Sequence, residues 1–301
     1  MQPIHWFPGH MAKARREMTE SLKRVDAVLE LVDARLPLAS ANPMLAEISG
    51  TKPRTVVMTR TDLADPAQTE RWVRYFREQG LQIVGIDART GHGVRDVIPA
   101  LERATTAKRE RDAKRGIRPR AVRAMVVGIP NVGKSSLINR LAGRAATKTG
   151  DRPGITKQQQ WIRLGNVELL DTPGVLWPKL DDEAGAFALA MSGAVKAEVI
   201  DLPAVCAYFI VWCSKHYPGV LEARYTLDPL PEMEASAEEA WNVAAPVLEA
   251  IAKRRGLMRA GGVHDTERAA ELVLRELQTG QLGRLTFEWA PGGVGTEYIN
   301  L

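Results

Sequence analysis

Cysteine is scarce in this chain, with only Cys206 and Cys213 among 301 residues. Seven apart, the pair would share one face of a helix. That excludes a disulfide-stapled miniature fold and a cysteine-built metal cage, and leaves core packing as the expected role. Long apolar runs are also missing. The strongest, Val199 to Cys213, is interrupted by Asp201 and Pro203, which reads as a buried helix and not a membrane span. Polar residues crowd the first twenty positions, so no secretory leader is expected and the protein is expected to be cytoplasmic. Internal repeats and low-complexity tracts are absent as well. What is present is an apolar share of 45% against a charged share of 26%, a balance suited to a globular chain. The length allows one or two domains with sizeable cores.

The most informative segment is GIPNVGKS, Gly128 to Ser135. Two glycines four residues apart precede a lysine and a hydroxyl residue. A β-branched run, Ala121 to Val127, leads in, and a helical pattern begins at Ser136. Strand, glycine-rich turn and helix are what a phosphate-binding loop requires. The backbone N–H groups around Asn131, Val132 and Gly133 can curl about phosphate oxygens, and the helix start adds partial positive charge. Lys134 is then expected at the β- and γ-phosphates, with the Ser135 hydroxyl on Mg2+ and Ser136 beside it.

Two further motifs fall in register. Asp171-Thr172-Pro173-Gly174 follows the apolar run Val167 to Leu170. This is the DTPG pattern of GTPases, in which the aspartate holds magnesium through water and the glycine N–H senses the γ-phosphate. Pro153-Gly154-Ile155-Thr156 lies between the two, placing Thr156 as the switch threonine and a second magnesium contact. A guanine reader, Asn-Lys-x-Asp, should come after DTPG, and nothing there matches. The candidate lies before the phosphate loop instead: strand Arg54 to Met58 ends in Thr59-Arg60-Thr61-Asp62, and strand Leu81 to Ile86 ends in Asp87-Ala88-Arg89, where GTPases often carry Ser-Ala-Lys. Base-reading loops therefore come first and phosphate-reading loops second. This is the order of a circularly permuted GTPase, which a doubly wound sheet tolerates because strand adjacency, not chain order, holds it. Lys108 to Arg120 would be the connection joining the ancestral ends.

These blocks resemble the ribosome biogenesis GTPase A family. The similarity covers the opening His5-Trp6-Phe7-Pro8-Gly9-His10-Met11-Ala12-Lys13-Ala14, then Val32-Asp33-Ala34-Arg35, the phosphate loop, Thr149 to Thr156, and Asp171 to Pro178. The resemblance implies GTP and GDP as ligands, Mg2+ as cofactor, and a maturing large ribosomal subunit as partner. It also implies K+ at Asn131, and His10 as the group that orients the attacking water. Val175 occupies the position where Ras-like enzymes place a glutamine, and a valine side chain cannot hydrogen-bond. The departures are Thr59 and Arg60 in place of Asn-Lys, and Asp87 in place of a small polar residue. Asp62 remains, so guanine specificity should survive, because an unpaired buried carboxylate penalises the wrong base.

Charge supplies an independent pointer. From Arg103 to Arg123 there are nine lysines and arginines against Glu110 and Asp112, a net +7 in a chain of net +5. A strip of this kind suits a phosphate backbone. Lys13, Arg15, Arg16, Lys23 and Arg24 add to it, while Lys253-Arg254-Arg255 reads either as a helix-end cap or as an RNA contact. After Trp177-Pro178 the strand pattern ends, and helices are expected around Glu183 to Ser192, Pro203 to His216, Ser236 to Arg255 and Asp265 to Thr279. The expected fold is α/β, a circularly permuted P-loop GTPase domain over 1–178, followed by an all-α RNA- or ribosome-binding domain over 179–301. The expected activity is slow GTP hydrolysis by a monomer, stimulated by the ribosomal particle. A non-catalytic RNA-binding scaffold with a degraded guanine site is the alternative.

Overall fold

The computed structural model describes residues 8–143, 160–174, 183–195 and 200–291, with the backbone alone for residues 8–14, 46 and 183. Helix α1 (Pro8–Lys23) leads into strand β1 (Ala27–Asp33), and a short helix α2 (Leu45–Ile48) precedes strand β2 (Arg54–Thr59). Helix α3 (Pro66–Glu78), strand β3 (Gln82–Gly85) and helix α4 (Val97–Lys114) complete the first half. Strand β4 (Val122–Val127), helix α5 (Lys134–Ala142), strand β5 (Gln160–Leu164) and strand β6 (Val167–Asp171) make up the second.

The six strands form one sheet in the order β3-β2-β1-β4-β6-β5, parallel throughout except for the β5–β6 hairpin. β1 lies near the middle and is buried along its whole length, as its apolar run AVLELVD requires of a strand covered on both faces. Its one acidic interior residue, Glu30, is satisfied by Arg54 Nη2 at 2.6 Å and the Asn42 N–H at 2.9 Å. The chain steps from β1 outward to β2 and β3, then returns to β4 on the other side of β1 and proceeds outward to β6. The direction of winding therefore reverses between β1 and β4, and ligands of open α/β sheets bind at such a switch, beyond the carboxyl ends of the strands. The motifs expected to read base and phosphate all begin at those ends.

Several expectations need correction. Helix α4 runs on to Lys114, so about half of the expected connection Lys108 to Arg120 is helical. Its buried positions end at Thr105, but the residues beyond are good helix formers, and Lys108 pairs with Asp112 one turn on at 2.8 Å. Strand β5 and a short helix α8 (Val220–Tyr225) were not foreseen. The expected second domain also differs at its end. Residues 288–291 belong to the compact unit of residues 8–174, while 183–195 and 200–287 form the other. The Glu288 carboxylate accepts from the Leu38 and Ala39 N–H groups at 2.7 and 2.8 Å, the fully buried Trp72 donates its indole N–H to the Glu288 carbonyl at 2.9 Å, and Ala290 packs into the Trp72 cluster.

The second unit contains helices α6 (Glu183–Ser192), α7 (Leu202–His216), α8, α9 (Ala240–Arg255) and α10 (Thr266–Gln278). Helix α7 is the interrupted apolar run. Asp201 caps it through the Ala204 N–H, Pro203 sits in its first turn, and Val205 to Cys213 are buried. Both cysteines are free core residues. Among the described residues, no helix is long and apolar enough to cross a membrane.

Candidate nucleotide site

The phosphate loop joins β4 to α5. Gly133 adopts φ +103°, a conformation that glycine takes without steric cost. Gly128 is needed for closeness: a Cβ there would lie 2.9 Å from the Leu31 carbonyl oxygen and 2.8 Å from the Val132 side chain. Lys134, in the first turn of α5, turns inward, and its ammonium donates to the carbonyls of Gly128 and Ile129 at 2.8 and 2.9 Å. Burial pushes this amine down to about 8, against the opposing pull of Asp171. Ser135 follows at the same helix start, and Ser136 is exposed.

The carboxyl end of β6 meets the loop from the other side. Thr172 donates its hydroxyl to the Val126 carbonyl at 2.6 Å and so fixes the DTPG turn against β4. Gly174 approaches the loop so closely that a Cβ would stand 2.8 Å from Lys134 Nζ and 2.9 Å from Pro130 Cα. Buried Asp171 and Lys134, half-buried Ser135 and exposed Gly174 are thus gathered around one turn. Their donor chemistry, a hydroxyl and a carboxylate oxygen beside an ammonium, matches a hard cation and phosphate oxygens.

The loops expected to read the base reach the same place. The Thr59 hydroxyl, buried at the end of β2, lies 2.7 Å from the Val132 carbonyl oxygen and 3.1 Å from that of Val32. Arg60, at φ +58°, donates to the Asn131 carbonyl at 2.6 Å and approaches Asp33 Oδ2 at 3.2 Å. The polar groups of Thr59 and Arg60 therefore brace the phosphate loop. Asp33 anchors this brace. It is buried and holds Arg35 through both carboxylate oxygens, at 3.0 and 2.8 Å. Burial pushes the Asp33 carboxyl up, but the Arg35 and Arg60 guanidiniums outweigh it and hold the group below its usual range.

Asp87 acts on its own turn. Its carboxylate accepts from the Arg89 N–H at 2.7 Å, the Thr90 N–H at 3.2 Å and the Thr90 hydroxyl at 2.6 Å. The Asp87 N–H donates to the His92 carbonyl and the Gly91 N–H to the Asp87 carbonyl. Of the five N–H donors from Asp87 to Gly91, only that of Ala88 is left without a partner among the described residues. Asp62 lies nearby, its carboxylate 3.6 Å from the exposed Arg89 guanidinium. The turn thus offers one backbone donor, and Asp62, which approaches the Arg89 side chain of that turn, offers a carboxylate acceptor; guanine presents one acceptor at O6 and donors at N1 and N2.

Thr156 and Val175 both fall outside the described residues. His10 is placed by its backbone in the first turn of α1, but its side chain lies outside the described residues. The residues that sequence reading passed over are Asp33 as an anchor and Arg140, which reaches the Ala88 carbonyl from α5 at 3.0 Å. The Asp-x-Arg spacing at 33 and 35 was a usable signal for the first, and nothing local marked the second.

A family model described as a 50S ribosome-binding GTPase matches residues 123–211. The match begins at β4, as it should when the base-reading half has been moved ahead of the phosphate loop. A protein of Bacillus cereus called ribosome biogenesis GTPase A is 49% identical over 95% of this chain and 93% of its own. Its namesake in Thermotoga maritima is 31% identical over 95% and 94%. The crystal structure of GNP-bound YlqF from T. maritima is similar with a TM-score of 0.65 at 28% identity, covering 93% of this chain and 99% of that one.

Proposed function

The chain belongs to the ribosome biogenesis GTPase A family and is a GTPase, and from that premise we propose that it hydrolyses GTP on a maturing large ribosomal subunit, late in that subunit's assembly. The observation that carries the site assignment is the meeting of both base loops and the phosphate loop at the carboxyl ends of the strands, the first tied by the Thr59–Val132 bond and the second by Arg140 to the Ala88 carbonyl. Asp62 accepts from guanine N1 and N2, and Ala88 N–H donates to O6. Lys134 leaves the carbonyls of Gly128 and Ile129 to face the β- and γ-phosphates. Ser135 and Asp171 would hold Mg2+, with Thr156 completing the set, and Asn131 would hold K+. Bound there, the cations would supply positive charge against the phosphate oxygens. Gly174 N–H senses the γ-phosphate, and His10 positions the attacking water. Family membership as a GTPase disfavours the non-catalytic scaffold.

The large-subunit reading is supported by the name of the matching family model and by an exposed cationic face. Arg103, Arg109, Arg111, Lys114, Arg115 and Arg118 are exposed along the end of α4 and the segment after it. The strip is smaller than its sequence suggests. Lys108 and Arg120 are bound to Asp26, Arg120 with both its terminal nitrogens, and Arg123 pairs with Glu168 over the Trp161 ring. Sedimentation of the protein with large-subunit particles, in a non-hydrolysable GTP analogue and in GDP, tests the reading. Binding that is stronger in the triphosphate state and GTP turnover stimulated by the particle are expected. Equal binding in both states with unstimulated turnover would refute it.

A further inference from the structure

Helix α5 starts at the phosphate loop with Lys134 and carries Arg140 in its last turn. That guanidinium leaves the helix and grips the second base loop. Its Nε donates to the Ala88 carbonyl at 3.0 Å and its Nη2 to the Arg89 carbonyl. One planar group thus holds two successive peptide oxygens, which a lysine ammonium cannot do in the same geometry.

We propose that Arg140 is a positioning residue for guanine recognition, holding the Ala88 N–H where it donates to the purine O6. The inference rests on the assignment of Asp62 and Ala88 to the base site. The Gly91 N–H bond to the Asp87 carbonyl, at 2.8 Å, orients the Asp87–Ala88 peptide. In a trans peptide the N–H points opposite the carbonyl, so the Ala88 N–H is aimed away from the turn's interior. The next two peptides are held from both sides: Asp87 accepts from their N–H groups, the longer of these bonds at 3.2 Å, and Arg140 donates to their carbonyls. Without the guanidinium each of these planes keeps only its Asp87 bond and the loop samples more conformations, so part of the ordering of the Ala88 donor falls at the moment of binding. Because α5 also begins at the phosphate loop, one rigid helix sets the spacing between the base reader and the phosphate cradle.

Arg140 is exposed, so its removal leaves no buried group unpaired and the fold should persist. The test compares GTP with its 6-thio analogue, in which sulfur, a weak acceptor, replaces O6 and all other groups are kept. The unmodified protein should prefer GTP. Arg140→Ala should weaken GTP by about tenfold, the scale of one charge-assisted hydrogen bond, while leaving the 6-thio analogue nearly unchanged, so that the preference collapses. Arg140→Lys, keeping one donor, should recover part of it. Equal weakening of both nucleotides, no weakening at all, or no preference in the unmodified protein would each overturn the proposal. Asp62→Asn separates the two levels. If it fails to shift preference toward xanthosine triphosphate, the base-site assignment falls and the clamp with it. If it does shift the preference while Arg140→Ala leaves the GTP to 6-thio ratio intact, the clamp alone is wrong.

Discussion

The hydroxyl of Thr59 donates to the carbonyl oxygen of Val132 across 2.7 Å, joining residues 73 apart in the chain. Both residues are about 1% exposed, so water cannot replace either partner. The bond makes the phosphate loop depend on strand β2 and the segment that leads from it to Asp62. Thr59→Val, an isosteric change that removes only the hydroxyl, should lower unfolding stability by about 1–3 kcal/mol, the cost of stranding a buried acceptor. GTP and GDP should weaken together, because both use the loop. Unaltered denaturant midpoints and affinities would show that the bond contributes nothing.

Lys134 links nucleotide binding to pH. In the free protein, burial holds its amine at about 8. A triphosphate brings negative charge to the ammonium and raises that value, so binding takes up a proton from the free protein's titration range upward. Affinity for GTP should be constant below pH about 7 and fall by up to about tenfold per unit above pH about 8. Titrations in buffers of different ionisation heat should register the proton uptake. Lys134→Ala should abolish productive triphosphate binding and this pH dependence together. A flat affinity up to pH about 9.5, with no proton uptake, would refute the linkage.

The cations of the α4 segment divide into two groups with different expected phenotypes. Replacing the exposed Arg109, Arg111, Lys114 and Arg115 with glutamine should weaken binding to ribosomal particles. The slope of log affinity against log salt should fall by roughly 0.7 to 0.9 for each phosphate that is no longer neutralised. Free GTP affinity should stay the same. Lys108→Gln and Arg120→Gln should instead reduce thermal stability, since both side chains neutralise the part-buried Asp26. Normal particle binding at every salt concentration by the four-residue variant would leave the strip as a solvated helix end.

His10→Ala should reduce particle-stimulated hydrolysis by about 10²-fold or more, as expected for removal of a water-positioning group. GTP and GDP affinities should stay within about twofold, because the side chain acts in the transition state. Single-turnover hydrolysis with and without particles is the measurement. A folded variant with normal stimulated turnover would remove His10 from catalysis.

The parts of this site that were legible in the sequence are those encoded by local spacing. Gly128, Gly133, Lys134 and Ser135 announce a phosphate loop because backbone conformation and helix start are local requirements, and motif order alone reveals the permutation. The continuation of α4 past Thr105 was hidden because burial stops there while helix propensity does not. Asp87 was unreadable as a single substitution. Its meaning emerges only when its carboxylate is seen closing the Asp87–Thr90 turn. Arg140 was invisible for another reason: it acts on carbonyls 51 and 52 residues away, and every residue type carries a backbone carbonyl, so nothing at the far end marks the interaction.

The Glu288 hydrogen bonds bear on how this molecule can be divided. A fragment ending near residue 178 would leave the N–H groups of Leu38 and Ala39 without their carboxylate, and strand the indole of a tryptophan that has no access to water. The GTP-binding half is therefore not a cassette that can be excised with a single cut. Chimaeras that exchange the helical half between relatives should keep residues 288–291 with the nucleotide-binding half and make two junctions, one on each side of the insert.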